Sequence, residues 1–303
     1  MTTRTHPGES LYSPVHRRAD GTVSVELGAS HPGFADPAYR ARRDSIASLA
    51  MGHAPGEPIP TVEYTEEEHD VWRIVSAELA TKHQRYAARS FLEGEEALGL
   101  PRDHIPQLHD VTAQLAPCSG FHYEPIAGLA PLREFYGSFA DDVFYSTQYI
   151  RHASSPLYTP EPDIVHEVIG HANQLANPDV ARLYREVAAA VRRVETDEAL
   201  RMLSRVFWFT FEFGTVYEDG ELKTYGAGIL SSYGELDAFR AADIRPLDFA
   251  EMAHLEYDIT KYQPVLFSAR SMNEVFDRLE EFLSEFSDDA AASQTNSRRS
   301  ARR

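Results

Sequence analysis

The chain reads PDIVHEVIGH from Pro162 to His171. This stretch places two histidines, His166 and His171, in an otherwise apolar run that favours a helix. Burial of two imidazole rings is costly unless each ring finds a polar partner, and one shared metal ion provides such a partner. Two buried histidines that bond to backbone carbonyl groups are the structural alternative, so the stretch alone leaves both interpretations open.

The spacing of the two histidines argues against a simple zinc-protease site. In the His-Glu-x-x-His motif the histidines stand four residues apart, on one face of an α-helix. Here they stand five residues apart, which on a regular helix separates them by about 140°. They converge on one ion only if the helix is distorted, and Gly170 stands where the backbone can yield. A zinc metallohydrolase with Glu167 as its base is the alternative from a different class of enzyme.

A third metal ligand is expected at Glu212. This carboxylate lies within VFWFTFEFG (Val206–Gly214), which is otherwise almost entirely aromatic or aliphatic. A buried carboxylate without a partner takes up a proton or binds a cation. Two histidines and one carboxylate form the facial triad of non-haem Fe(II) oxygenases, which leaves open positions for oxygen and substrates. An ion pair with an arginine such as Arg205 is the structural alternative for Glu212.

Composition and charge restrict the class of protein. Of the 303 residues, 43% are hydrophobic and 25% are charged, as in globular domains. The chain has 29 basic and 47 acidic residues and a net charge of −18, which disfavours nucleic acid and anionic membranes as partners. The single cysteine, the lack of a secretory signal pattern and the lack of a long apolar run predict a cytoplasmic protein that does not enter a membrane.

The hydrophobic pattern predicts a mainly α-helical single domain (an α+β chain with small β pieces). A capping box at Thr65 and Glu68 starts one helix, and apolar stripes predict helices over residues 179–194 and 272–286. Strands are expected only at residues 22–27 and 222–225. Polar composition predicts a flexible N-terminal arm and a disordered, basic-tipped tail on either side of the folded body. The arm covers residues 1–30, the body 31–286 and the tail 287–303.

The motifs resemble those of the pterin-dependent aromatic amino acid hydroxylases. The resemblance is carried by PDIVHEVIGH, by FWFTFEFG and by YGAGILSSYGEL, and matching segments continue from about His31 to Phe286. It implies that residues 31–286 form the catalytic domain of that family, a monooxygenase that uses O2, Fe(II) and a tetrahydropterin such as tetrahydrobiopterin. Within the family, members that hydroxylate L-phenylalanine at C4 to give tyrosine are the most similar. Hydroxylation of phenylalanine at C3, or of tyrosine or tryptophan, is the alternative within the family.

The resemblance also implies roles for individual residues. It makes His166, His171 and Glu212 the iron ligands, in agreement with the triad above. It places Arg151 on the carboxylate of the substrate, and it places the rest of the amino acid site at Thr159, Pro162, Trp208, Phe213 and Ser231. The pterin site is implied at Gly128, Ala130, Leu132 and Phe135, with Glu167 as an acid that faces the pterin.

Four positions differ from the common pattern of the family. Ala172 and Asn173 replace a Val-Pro pair, Tyr145 replaces a histidine near the pterin, and Phe207 replaces a tyrosine. None of these changes removes a ligand, so a non-catalytic binding protein is the weakest alternative. The short segments on either side of the folded body leave no room for a regulatory domain or a tetramerisation helix, so a monomer is expected.

Overall fold

The structure, a computed structural model, describes residues 13–259 and 261–301, with side chains up to Thr295. Helices make up most of it, which confirms the mainly α-helical single domain. No helix in this part of the chain has the length and apolar character needed to cross a bilayer. The α-helices are Pro37–Gly52 (α1), Glu66–Tyr86 (α2), Arg89–Leu98 (α3), Leu108–Ser119 (α4), Leu132–Ser138 (α5), Asn173–Leu175 (α6), Pro178–Arg193 (α7), Asp197–Phe207 (α8), Ala227–Leu230 (α9), Tyr233–Ala238 (α10), Phe249–Met252 (α11), Met272–Glu285 (α12) and Asp288–Ala301 (α13).

Short 3₁₀ and π-helical segments adjoin the ends of several of these helices. The 3₁₀ segments are Phe139–Asp141 and Phe239–Ala241. The π-helical segments are Val165–Ala172, which leads directly into α6, and Trp208–Glu212, which continues α8. Both π-helical segments carry residues that the sequence analysis assigned to the metal site.

Short strands form three small sheets within the described residues. The strands are Val15–Arg17 (β1), Val23–Val25 (β2), His122–Pro125 (β3), Val143–Ser146 (β4), Thr215–Glu218 (β5), Glu221–Thr224 (β6), Asp243–Pro246 (β7) and Val265–Ala269 (β8). β1 pairs with β2 antiparallel, β3 pairs with β4 parallel, and the third sheet has the order β6-β5-β8-β7. The predicted strands correspond to β2 and β6. The others escape prediction because strands of three to five residues are too short to show a clear alternation.

The main core surrounds α7. Its apolar face, which includes Tyr184 and Val187, is buried and packs against α5 and α12. Asn177 caps α7 by accepting the backbone N–H groups of Asp179 and Val180, a role for which asparagine is well suited. The two helices predicted from apolar stripes correspond to α7 and α12, and their ends agree within one residue.

The predicted capping box starts α2. Thr65 Oγ1 accepts the backbone N–H of Glu68 at 3.2 Å, and the Glu68 carboxylate accepts the backbone N–H of Thr65 at 2.7 Å. These reciprocal bonds satisfy two donors that the first turn of a helix otherwise leaves without partners.

The N-terminal segment is ordered from Ser13, which corrects the predicted flexible arm. The β1–β2 hairpin packs on α1, and the backbone N–H of Val25 donates to the Asp44 carboxylate at 2.7 Å. The backbone N–H of Ser13 donates to Glu161 at 2.6 Å. These partners are distant in sequence, so local composition does not reveal them. Residues 1–12 lie outside the described residues.

The C-terminal segment is helical, which corrects the predicted disordered tail. The Asp288 carboxylate accepts the backbone N–H groups of Glu195 at 2.8 Å and Thr196 at 3.0 Å, and Ala291 is buried. Asp288 and Asp289 stabilise the first turn of α13 electrostatically, and the three alanines that follow favour a helix. The arginines of the predicted basic tip lie outside the residues whose side chains are described.

Candidate active site

Both segments that carry the predicted metal ligands are π-helical. His166 and His171 lie in Val165–Ala172, and Glu212 ends the segment Trp208–Glu212. A π-helix has i→i+5 hydrogen bonds, so residues five positions apart lie on one face. This is the distortion that the spacing of the histidines required, and it brings the two Nε2 atoms to 3.1 Å.

Gly170 serves close packing in this segment. A Cβ atom at this position would lie 3.0 Å from the carbonyl oxygen of Ala227 and 3.2 Å from its Cβ atom. The glycine therefore allows α9 to approach the helix that carries the histidines. Its role is contact with α9, whereas the sequence analysis expected flexibility.

Three donor atoms converge between the two π-helical segments. His171 Nε2 lies 3.1 Å from Glu212 Oε1, and His166 Nε2 lies 3.7 Å from Glu212 Oε2. All three ligand atoms lie within 4.8 Å of one another, and no second group of this kind is present in the described part of the chain. Two imidazole nitrogens and one carboxylate oxygen at these separations suit a single first-row transition metal ion.

A hydrogen bond to Ser231 fixes the tautomer of His166. Ser231 Oγ donates its proton to the carbonyl oxygen of Ala227 at 2.8 Å, so it accepts the Nδ1–H of His166 at 2.8 Å. The lone pair of His166 is then on Nε2, the atom that faces the other two ligands. Metal-binding histidines commonly donate their second nitrogen in this way.

The electrostatics of the site favour the metal-binding forms of Glu212 and His166. Burial opposes ionisation of Glu212, but His171 and His166 outweigh burial and hold the pKa of Glu212 below its usual value. Burial lowers the pKa of His166 to about 4, so its imidazole is neutral at neutral pH. Burial also disfavours the charge of His171, but Glu212 overcomes this effect and raises the pKa of His171. A metal ion at this site would compete with a proton for Nε2 of His171.

An apolar cavity lies beside the three ligands. Residues of all four predicted pterin-binding positions and the predicted acid line it: Gly128, Ala130, Leu132, Phe135 and Glu167. Two predicted substrate residues, Pro162 and Trp208, also line it, as do the divergent positions Tyr145 and Phe207. The structure therefore brings the predicted pterin residues and part of the predicted substrate site to one cavity that the metal ligands border.

Three other predicted substrate residues do not line the cavity. Phe213 packs against Trp208 with the ring centres 4.4 Å apart, and Thr159 Oγ1 donates to the carbonyl oxygen of Glu161 at 2.8 Å. Ser231 contacts His166, as described above. Phe213 and Ser231 thus contact residues that line the cavity, whereas the bond of Thr159 is to Glu161, outside the lining. Direct contact of all three with a substrate remains a prediction.

Arg151 forms a buried ion pair with Asp163. Its Nε and Nη2 atoms donate to the two carboxylate oxygens at 2.9 and 2.8 Å, and its backbone N–H donates to Oδ2 at 2.8 Å. The side chains are 3% and 0% exposed. A bidentate pair of this kind fixes the orientation of the guanidinium group. Arg151 is thereby attached to the residue that stands three positions before His166.

Sequence analysis missed part of the cavity wall. The missed residues are Ile126, Leu129, Tyr136, Ser204 and Tyr257. Four of them are apolar or aromatic residues of the kind found throughout a core, so their types carried no signal. Tyr257 stacks on Trp208 with the ring centres 4.3 Å apart, and this contact joins two segments that are distant in sequence.

Glu235 is a buried carboxyl group behind the same wall. It is 7% exposed, and it accepts the backbone N–H of Gln263 at 2.9 Å. Gln263 Oε1 in turn accepts the indole N–H of Trp208 at 3.3 Å. Burial raises the pKa of Glu235 to about 7. Glu235 therefore supports the cavity through Gln263 and is protonated in part at neutral pH.

We expect Glu235→Gln to change how stability depends on pH. The folded pKa of about 7 lies above the ordinary value of 4.5, so the folded wild type binds this proton more tightly and loses stability as the pH rises through that interval. The amide cannot ionise, so the variant should gain on the order of 2 kcal/mol relative to the wild type between about pH 5 and about pH 8. Urea unfolding at both pH values measures the effect, with the exposed Glu78→Gln as the control. An equal difference from wild type at both pH values would contradict it.

Comparison with known proteins agrees with this geometry. A family model for biopterin-dependent aromatic amino acid hydroxylases matches residues 18–294. The phenylalanine 3-hydroxylase of Streptomyces coeruleorubidus is 51% identical over 262 residues, which cover 86% of this chain and 94% of that protein. The phenylalanine-4-hydroxylase of Mus musculus is 42% identical over 268 residues, which cover 86% of this chain and 59% of that protein.

A solved structure that contains bound iron and an oxidised pterin has the same fold. The phenylalanine hydroxylase of Chromobacterium violaceum, with bound iron(III) and 7,8-dihydrobiopterin, aligns with a TM-score of 0.71 and 26% identity. The alignment covers 80% of this chain and 93% of that one. The chain belongs to the biopterin-dependent aromatic amino acid hydroxylases. This membership confirms the family, the fold and the monooxygenase class predicted from the motifs, and it leaves the zinc metallohydrolase without support.

Proposed function

We propose that the chain hydroxylates the ring of L-phenylalanine at C3 and gives meta-tyrosine. The observation that carries a ring hydroxylase is the triad of His166, His171 and Glu212 at the edge of an apolar cavity. The choice of C3 is supported by the 51% identical relative, which is named for that reaction and matches over 94% of its length. Hydroxylation at C4, which the sequence motifs favoured, is the second candidate, and the 42% identical mouse enzyme supports it.

We assign Fe(II) to the triad, because two neutral imidazoles and one carboxylate are the donor set that non-haem Fe(II) oxygenases use. Bound there, Fe(II) and a tetrahydropterin supply the reduction of O2 that hydroxylation of a ring requires. The hydrogen bond from His166 to Ser231 directs the Nε2 lone pair toward the ion. The ionised Glu212 supplies the negative charge.

The cavity residues position the two organic reactants. Phe135 is held by edge-to-face contacts with Phe139 and Phe144, at ring-centre distances of 5.1 and 5.6 Å, and it borders the cavity. We assign the pterin to this side, beside Glu167. Pro162 and Trp208 form the apolar surface for the ring of the amino acid. The aromatic wall excludes water from the reacting atoms.

One product analysis tests this proposal. Protein loaded with Fe(II) receives tetrahydrobiopterin, O2 and phenylalanine, and the product is compared by chromatography with ortho-, meta- and para-tyrosine. We expect meta-tyrosine as the main product, and para-tyrosine would establish the second candidate instead. Parallel reactions with tyrosine and tryptophan test the other members of the family. Failure to convert any of the three amino acids would contradict a hydroxylase of this kind.

The monomeric state and the cytoplasmic location remain predictions. Sedimentation velocity of the full chain measures the first directly, and a species of one chain is the expected result.

A further inference from the structure

The amide group of Gln174 has a fixed orientation. Gln174 lies in α6 and is 2% exposed. Its Nε2 atom donates to the carbonyl oxygen of Phe211 at 2.9 Å and to that of Tyr225 at 2.8 Å. A carbonyl oxygen only accepts hydrogen bonds, so both neighbours require the NH2 end of the amide. The Oε1 atom therefore lies on the opposite side of the amide, away from these two carbonyl groups.

The orientation of Gln174 determines the direction of two further protons. Its Oε1 atom accepts the hydroxyl proton of Tyr184 at 2.5 Å. Because a phenol has a single proton, the Tyr184 oxygen acts as the acceptor toward His171 Nδ1, which lies 2.9 Å away. His171 therefore carries its proton on Nδ1. Its other ring nitrogen, Nε2, faces His166 and Glu212 and is the atom available to a metal ion.

Gln174 also joins the two ligand-bearing segments. Phe211 directly precedes Glu212, in the last turn of the segment Trp208–Glu212. Carbonyl groups in the last turn of a helix have no partner within the helix, and Gln174 supplies one. The same side chain reaches His171 through Tyr184, and Tyr184 is fully buried on α7. One amide thus fixes the position of the Glu212 segment relative to His171.

We propose that Gln174 and Tyr184 are positioning residues of the metal centre. Together they hold His171 as the Nδ1–H tautomer, keep its distance to Glu212 constant, and thereby set the affinity for the metal ion. The inference rests on the proposed function, because it takes His166, His171 and Glu212 as the ligands. Ser231 provides the corresponding support for His166, but it is held by a carbonyl group of its own helix and connects no second ligand.

Metal titration of the apoprotein tests this inference without any activity measurement. Co(II) serves as the probe, because its visible absorption bands report the ligand geometry and competition with a chelator gives Kd. We expect Tyr184→Phe to raise the Kd for Co(II) by about 10- to 100-fold, the usual cost of losing a partner of a ligating histidine. The absorption bands of the bound Co(II) should shift as well. The isosteric Gln174→Met should have an effect of similar size.

The control is Tyr64→Phe. The hydroxyl of Tyr64 donates to the carbonyl oxygen of Gln148 at 2.7 Å, so this variant also removes a hydrogen-bonded phenol hydroxyl, but one that is not bonded to a metal ligand. It should lower the melting temperature of the apoprotein about as much as Tyr184→Phe does and leave the Co(II) spectrum and Kd unchanged. A Kd for Tyr184→Phe within about two-fold of the wild type would overturn the proposal.

A double variant shows whether Gln174 and Tyr184 act through one continuous series of hydrogen bonds or through two independent contacts. If Gln174 and Tyr184 act in one chain, the double variant Gln174→Met/Tyr184→Phe raises Kd no further than the more severe single variant. Multiplicative effects of the two changes would overturn the shared role. If one single variant folds poorly, the Kd of the other single variant still tests the proposal. Failure of the proposed function has a different signature, because the wild type would then bind Co(II) but convert none of the three amino acids. A wrong ligand assignment would show as His166→Ala that binds Co(II) as tightly as the wild type.

Discussion

His166→Ala is expected to lose stoichiometric iron and to retain less than about 1% of the hydroxylation rate, because even the partners behind a ligand contribute 10- to 100-fold to affinity or activity. The variant keeps Glu212 and His171, which are separated by 3.1 Å, but two donors do not hold the ion. Ser231 still donates to the carbonyl oxygen of Ala227. The apoprotein should therefore unfold at nearly the same temperature as the wild type.

Iron per chain is measured after reconstitution with Fe(II) and removal of free ion. The control is His109→Ala, which removes an imidazole that is 45% exposed and lies outside the site. Equal iron content in wild type and His166→Ala would contradict the assignment of the ligand. A large loss of stability in the apoprotein would instead show that His166 is needed for folding.

Arg151→Ala is expected to destabilise the fold by about 3–5 kcal/mol, because it leaves the fully buried Asp163 carboxylate without its counter-ion. The sequence analysis expected Arg151 to act on the carboxylate of the substrate, where loss of charged hydrogen bonds costs about 1.5–3 kcal/mol. The buried pair adds a structural effect to that loss. Urea unfolding of the apoprotein measures the first effect, and phenylalanine binding measures the second.

A double variant distinguishes the two roles. Arg151→Met/Asp163→Asn removes both charges, and the amide oxygen of the asparagine can still accept the backbone N–H of residue 151. Neutral replacement of a buried pair restores most of the stability that loss of one partner removes. If Arg151 binds the substrate, the double variant should regain stability, but its affinity for phenylalanine should remain lower than that of the wild type. Normal phenylalanine binding in this variant would contradict the role at the substrate, and unchanged stability of Arg151→Ala would contradict the role of the pair.

The metal ligands could be predicted from the sequence because they are polar residues in apolar surroundings. His166, His171 and Glu212 each break an apolar run, and the physical cost of burying them points to a cation. The roles of Gln174 and Tyr184 could not be predicted in this way. Glutamine and tyrosine occur throughout a soluble protein, and only the packing of α6 and α7 shows that they bond to each other and to His171.

The ends of the chain show the same limit. The β1–β2 hairpin and α13 are built from polar, weakly patterned residues, and each is held by hydrogen bonds to distant segments, at Asp44 for the hairpin and at Glu195 and Thr196 for the helix. Local composition reports on neither partner. The long helices α2, α7 and α12, by contrast, carry their own caps or apolar stripes, so the sequence predicts the start of α2 and both ends of α7 and α12.

The π-helical turn between the histidines also bears on how such a site arises. A π-helical turn equals an α-helical turn with one residue added. Removal of Val168 alone would leave the two histidines four positions apart with Glu167 still after the first, which is the spacing of the His-Glu-x-x-His metallohydrolases. At this helix the two kinds of metal site therefore differ by one residue in the spacing of their histidines. Only a change in the number of residues between the histidines, and no substitution, converts one ligand spacing into the other.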